Sequence, residues 1–95
     1  MSIVRLIQIK INPLKSETTE RILKDEFASL MRSQKGFMSE KLLRVNSGEF
    51  ISYSEWETKE DVEHFTSSAA HMQFVRRMRD LGAYNPFDTL CDLVN

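Results

Sequence analysis

Ser54-Glu55-Trp56-Glu57-Thr58-Lys59-Glu60-Asp61-Val62-Glu63-His64-Phe65 is where one periodicity hands over to another. Alternation stops at Thr58, and Val62 and Phe65 then keep a helical spacing. Thr58 followed by Asp61 reads as a helix N-cap with an acidic partner at N3. A strand that ends on the only tryptophan and turns straight into a short helix therefore forms the centre of the chain.

Upstream of this junction, Asn46-Ser47-Gly48 is a turn signal between two strands. Phe37 to Val45 and Glu49 to Thr58 are thus paired as an antiparallel hairpin. On the second of these, Phe50, Ser52, Ser54 and Trp56 share one face. Ile51 and Tyr53 share the other with Glu55 and Glu57. Two serines between two aromatics leave room for a ligand, or for large side chains from elsewhere. Before the hairpin, Ser16 to about Gln34 reads as a helix. Ser16 is its expected N-cap, and Ile22, Leu23, Phe27, Leu30 and Met31 form its apolar stripe. Gly36 supplies the left-handed residue that ends it. The first strand spans Ile3 to Ile11, and Asn12-Pro13 ends it. Ile3, Ile7, Ile9 and Ile11 share one face, interrupted by Arg5. Val4 and Leu6 lie on the other, followed by Gln8 and Lys10.

Downstream, Lys59 to Phe65 is a short helix broken by Thr66-Ser67-Ser68. Ser68 caps a second segment, Ala69 to Leu81, whose core face is Phe74, Val75, Met78 and Leu81. Gly82 stops it, and Asn85-Pro86 leads into a last strand, Phe87 to Val94. The order β-α-β-β-α-β is a ferredoxin-like α+β fold with an antiparallel four-stranded sheet and helices on one face. Strands one and three carry apolar residues on both faces, so a homodimer that covers the bare face is expected.

Composition excludes several classes. The chain has 95 residues, a single domain that buries only roughly two-thirds of its unfolded surface. The net charge of −1, from 13 basic and 14 acidic residues, draws neither nucleic acid nor an anionic membrane through bulk charge. Arg76-Arg77-Met78-Arg79 is the one basic cluster. It reads as a solvated helix face near a C-terminus, with a clamp for an anionic substrate group as the alternative. The single cysteine, Cys91, reads as a core thiol, and a reducing cytoplasm is the expected compartment. The N-terminal stretch lacks the pattern of a signal peptide, and no apolar run reaches membrane-spanning length.

His64 and His71 lie seven apart, with no nearby cysteine and scattered carboxylates, so no metal site is expected. No nucleophile elbow, phosphate loop or dinucleotide fingerprint is present, and no cofactor is expected. His71 falls in the first turn after Ser68. There the helix dipole disfavours the imidazolium and helps keep a neutral, base-competent ring. The other reading is a surface or interface histidine. His64, among Glu60, Asp61 and Glu63, reads first as exposed.

Taken together, Gly36-Phe37, Asn46-Ser47-Gly48, Glu55-Trp56-Glu57, the acidic short helix with His64, the serine break and His71 resemble the antibiotic biosynthesis monooxygenase family. That family consists of small dimeric α+β barrel proteins, and the resemblance covers nearly the whole chain. One branch oxygenates phenols or anthrones to quinones with O2, without metal, flavin or haem. What this implies is an apolar cavity, a base, and polar groups that hold an enolate or phenolate. Trp56 matches the family's strand-three tryptophan, which makes it the first pocket and catalytic candidate beside His71, with plain core packing as its other reading. Tyr53, Gln8, Arg44, His64 and Phe65 are the further substrate-binding candidates. A haem-degrading branch uses an Asn on strand one, a Trp on the short helix and a His on the next segment. This chain has Gln8 at the first position and His64 or Phe65 at the second. The third falls near Phe74, or at His71 if the break shifts, so at least two of the three are missing. The leading expectation is a cofactor-independent monooxygenase acting on a small phenolic, anthrone or quinol-type aromatic. The alternative is a non-enzymatic small-molecule-binding or stress-related protein on the same fold.

Overall fold

Alternating burial along the two central strands fixes which face of the sheet meets the helices. The computed structural model describes residues 2–94, leaving Met1 and Asn95 outside. Strand β1 is Ile3–Lys10, β2 is Phe37–Asn46, β3 is Glu49–Trp56 and β4 is Tyr84–Asp92. They form one antiparallel sheet in the order β2-β3-β1-β4. Helix α1 covers residues 16–32, α2 is Lys59–Thr66 and α3 is Ala69–Asp80. This is the expected ferredoxin-like α+β fold, with three helices and a four-stranded antiparallel sheet.

The register sets Ile7 opposite Ser52 and Ile9 opposite Phe50, so these four face the helices together. Ile7, Ile9 and Phe50 join Leu23, Phe27 and Met31 of α1, Val62 and Phe65 of α2, and Met78 of α3 in one core. Thr58 caps α2 by accepting from the Asp61 amide at 3.1 Å. Ser68 caps α3 by accepting from the His71 amide at 3.2 Å. Both caps satisfy amides that the first helical turn leaves without partners.

Helix α1 departs from its sequence reading at both ends and in the middle. A short 3-10 turn, Pro13–Lys15, precedes it, and the capping side chain is Asn12, which accepts from the Leu14 amide. Ser16 is already inside the helix, with φ −58 and ψ −48. The helix stops at Arg32 rather than near Gln34. Between its α-helical ends, Ile22–Phe27 is a π-helical turn. Its i→i+5 bonds widen the turn and bring residues five apart onto one side, so that Ile22 and Phe27 are buried together.

Gly36 follows α1 at φ +83, a conformation that side chains resist. A Cβ there would also lie within 2.1–2.7 Å of the Asp61 side chain, including its own Cβ. The Gly36 carbonyl accepts from the Glu57 amide at 2.8 Å, tying the end of α1 to the junction between β3 and α2.

Strand β3 ends at Trp56 rather than Thr58, because Thr58 is the cap. Strand β4 begins at Tyr84, ahead of the expected Phe87, and takes Asn85 and Pro86 into the strand. Proline is tolerated there because β4 is an edge strand. Cys91 is exposed instead of buried. It pairs with Val4 across the register, on the sheet face away from the helices. That face also carries Ile51, Tyr53, Leu43 and Phe87, the last two about half exposed. Among the described residues, no helix is long and apolar enough to cross a membrane.

Candidate active site

A charged residue at a core-facing position of a central strand requires a partner. Arg5 occupies such a position on β1 and is 4% exposed. Its partner is Asp88 on β4. Arg5 Nε donates to Asp88 Oδ1 at 3.1 Å and Nη2 to Oδ2 at 2.8 Å, a bidentate pair. Arg5 Nη1 stands 3.5 Å from His71 Nε2. A guanidinium can only donate, so Nε2 is the lone-pair nitrogen in this contact and Nδ1 carries the proton. Three of the five guanidinium N–H groups are thereby engaged, and two remain for a further acceptor.

His71 is positioned from three sides. The Ser68 cap holds its amide, the Phe65 ring meets its imidazole edge-on at 4.9 Å, and Phe27 lies at 6.5 Å. Burial, followed by the nearby Arg5 charge, pushes its pKa down to about 4, against the opposing pull of Asp88. The ring is therefore neutral at physiological pH. The folded pKa lies below the ordinary value of 6.5, so the unfolded chain takes up this proton first as pH falls. The resulting stability is complete above pH 6.5 and is lost between about 6.5 and 4. We expect about 1–2 kcal/mol of unfolding free energy to disappear between about pH 7 and pH 5, and His71→Phe to remove most of that slope. Urea titrations of both proteins at the two pH values test it.

Arg5 and His71 form the polar part of a cavity of about 180 Å³ between α1, α3 and the sheet. Ile7, Ile9, Leu23, Phe27, Phe74 and Met78 give it apolar walls. Phe27 and Phe74 stack at 4.8 Å, closing one side. Arg79, Tyr84 and Asn85, all exposed, line the opposite end.

The other candidates from sequence lie elsewhere. Trp56 is fully buried, stacks on Phe65 at 5.3 Å and meets Phe37 edge-on at 5.6 Å. Its indole nitrogen donates to Ser54 Oγ at 2.9 Å, and it is not part of the cavity wall. Phe65 is equally buried beneath it. Tyr53 and Gln8 point to the uncovered sheet face, where Gln8 donates to Glu49 at 2.7 Å. Lys10 shares that carboxylate and, with Gln8, holds its pKa below the usual value. Arg44 is exposed and pairs with Glu20 of α1. His64 is exposed on α2. A second depression beside α1 and β2 is lined by Glu20, Lys24, Glu40, Lys41 and Arg44 and is open to solvent. Arg5 and Asp88 are not among the site candidates from sequence. The available signal was the arginine that breaks an otherwise apolar strand face. Among the described residues, no group of three potential metal ligands exists.

Comparison with known proteins gives the family and the fold. The family model for antibiotic biosynthesis monooxygenases matches residues 2–77. The chain belongs to that family. Among solved structures it resembles SnoaB from Streptomyces nogalater, a cofactor-independent oxygenase, with a TM-score of 0.80 at 13% identity over 99% of this chain and 94% of that one. Rv0793 from Mycobacterium tuberculosis is similar, with a TM-score of 0.79 at 14% identity, covering 100% and 97%. A candidate antibiotic biosynthesis monooxygenase from Deinococcus radiodurans gives 0.84 at 12% identity, covering 100% and 94%. At such identities the likeness establishes a shared fold. No curated protein matches in sequence.

Proposed function

We propose that the protein is a cofactor-independent monooxygenase that oxidises a phenolic or quinol-type aromatic with O2. The observation that carries this reading is the meeting of spare Arg5 donors and neutral His71 at the buried end of an apolar cavity. A phenol bound with its hydroxyl there takes the place of the Arg5 Nη1 donor at His71 Nε2 and passes its proton to that nitrogen, and its oxyanion accepts from Arg5. The guanidinium stabilises the charge that develops, in a site poor in water. His71 is a weak base on its own, and the oxyanion beside it strengthens it. The phenolate then gives one electron to O2, and the aryloxyl radical and superoxide combine at a ring carbon. His71 returns its proton to the peroxide so formed, and the hydroperoxide then loses water as its O–O bond breaks and the ring carbon gives up its proton. One oxygen atom of O2 ends in the quinone and the other in water.

O2 uptake with phenols and hydroquinones, with no metal, flavin or haem added, tests the proposal. Uptake above the spontaneous rate is expected, with one atom of labelled O2 in the quinone product, and His71→Phe and Arg5→Met should each lower kcat/KM about 100-fold. The low basicity of His71 favours one rival, a non-enzymatic small-molecule binder. Saturable binding of these compounds without uptake would establish that rival. A tetrapyrrole far exceeds the cavity of about 180 Å³, which speaks against a haem-degrading role.

The same reading includes a second copy of the chain over the bare sheet face, where Leu43 and Phe87 are about half exposed. Sedimentation at micromolar concentration should give a dimer, and Leu43→Glu should shift it to monomer. A cytoplasmic location rests on the single thiol, which has no internal partner.

A further inference from the structure

The cavity has two ends of different character. Arg5 and His71, 4% and 8% exposed, form the inner one, and Arg79, Tyr84 and Asn85 form the outer one. His71 and Arg79 are eight residues apart on α3, about 12 Å of helix rise. Both ends thus present a guanidinium, and no carboxylate belongs to the cavity wall. The inner charge is balanced by Asp88. The outer one makes no ion pair among the described residues, whereas its neighbour Arg77 is paired with Glu26. Arg76 does not reach the cavity. Size sets a second limit. A dry cavity of about 150 Å³ suffices for benzene. The observed volume of about 180 Å³ therefore takes one aromatic ring with small substituents, and three fused rings exceed it.

We infer that the cavity selects a single-ring phenol or hydroquinone carrying an anionic group on a short chain, with Arg79 as the specificity-determining residue. The hydroxyl lies at Arg5 and His71, the ring lies against Phe27 and Phe74, and the anion meets Arg79. This rests on the cavity being the substrate site, as proposed above.

Calorimetric titration of para-hydroxyphenylpropionate, its methyl ester and anthrone tests it, using the wild-type protein, Arg79→Gln and Arg76→Gln. At low ionic strength the acid should bind about fivefold more tightly than the ester to wild type and to Arg76→Gln, the scale of an exposed ion pair. In Arg79→Gln the two should bind alike, with the affinity for the ester unchanged. Equal affinities in the wild type, discrimination that survives in Arg79→Gln, or anthrone as the tightest ligand would each overturn the inference. Oxygen consumption by the same samples, with a hydroquinone carrying the same acid or ester chain, separates the two claims. Preference for the acid without any uptake removes the oxygenase reading and upholds the selectivity. Equal uptake with acid and ester does the reverse.

Discussion

Replacing Trp56 with alanine should cost about 3–5 kcal/mol of stability, the range for truncating a large buried aromatic. The indole is completely inaccessible, stacked on Phe65 at 5.3 Å and edge-on to Phe37 at 5.6 Å. Its removal opens a void where β3, α2 and the start of β2 meet, and it leaves Ser54 Oγ without its donor. A small domain holds only about 5–15 kcal/mol in total, so a large share of the fold's stability rides on this ring. Urea unfolding followed by circular dichroism measures the change, since the variant has no tryptophan left to report. Trp56→Phe keeps much of the packing and should lose about 1–2 kcal/mol. A cost below about 1 kcal/mol for the alanine variant would mean that the indole does not hold this junction together.

Removal of Asp88 attacks the buried ion pair instead. Asp88→Ala leaves the Arg5 guanidinium buried with no anion beside it. Breaking a buried pair from one side costs about 3–5 kcal/mol, and because the Asp88 side chain is 39% exposed the lower end, about 3 kcal/mol, applies. Asp88→Asn should cost less, as the amide oxygen still accepts one bond. Loss of the carboxylate also removes the one influence that raises the pKa of His71, which should then fall further below its native value. The double variant Arg5→Met/Asp88→Ala removes charge and partner together and should be more stable than Asp88→Ala alone. If the double variant were the less stable of the two, the pair would not be a matched one.

These two variants mark what was and was not legible in the sequence. Thr58 and Ser68 announced both helix starts, because a capping side chain acts on amides within its own turn. The faces of β1 and β3 followed from alternation, since period two leaves no other assignment once one face is buried. The serines of β3 left open whether a ligand or protein filled the space before them. The indole of Trp56 itself turns onto Ser54, a contact two residues apart that a face assignment does not reveal. Arg5 looked like an interruption because its partner is 83 positions away. No local pattern links an arginine on the first strand to an aspartate on the last, and only the closed sheet brings them together with His71. Strand β4 was read as starting late because Asn85-Pro86 is a turn signal everywhere except on an edge strand.

The π-helical turn at Ile22–Phe27 gives α1 a seam. Before it, Thr19 sets the buried side, and after it Ala28 and Met31 do, with the wide turn absorbing the angular difference between them. An α-helix turns about 100° per residue, so losing or gaining one residue elsewhere in a helix swings everything beyond it off its contacts. Here the wide turn already holds the slack of one residue. Chains of this fold can therefore differ by one residue at the seam and keep both flanking faces on the sheet. An alignment that allows no gap inside α1 would then place Leu23 and Phe27, two residues of the cavity wall, against the wrong counterparts.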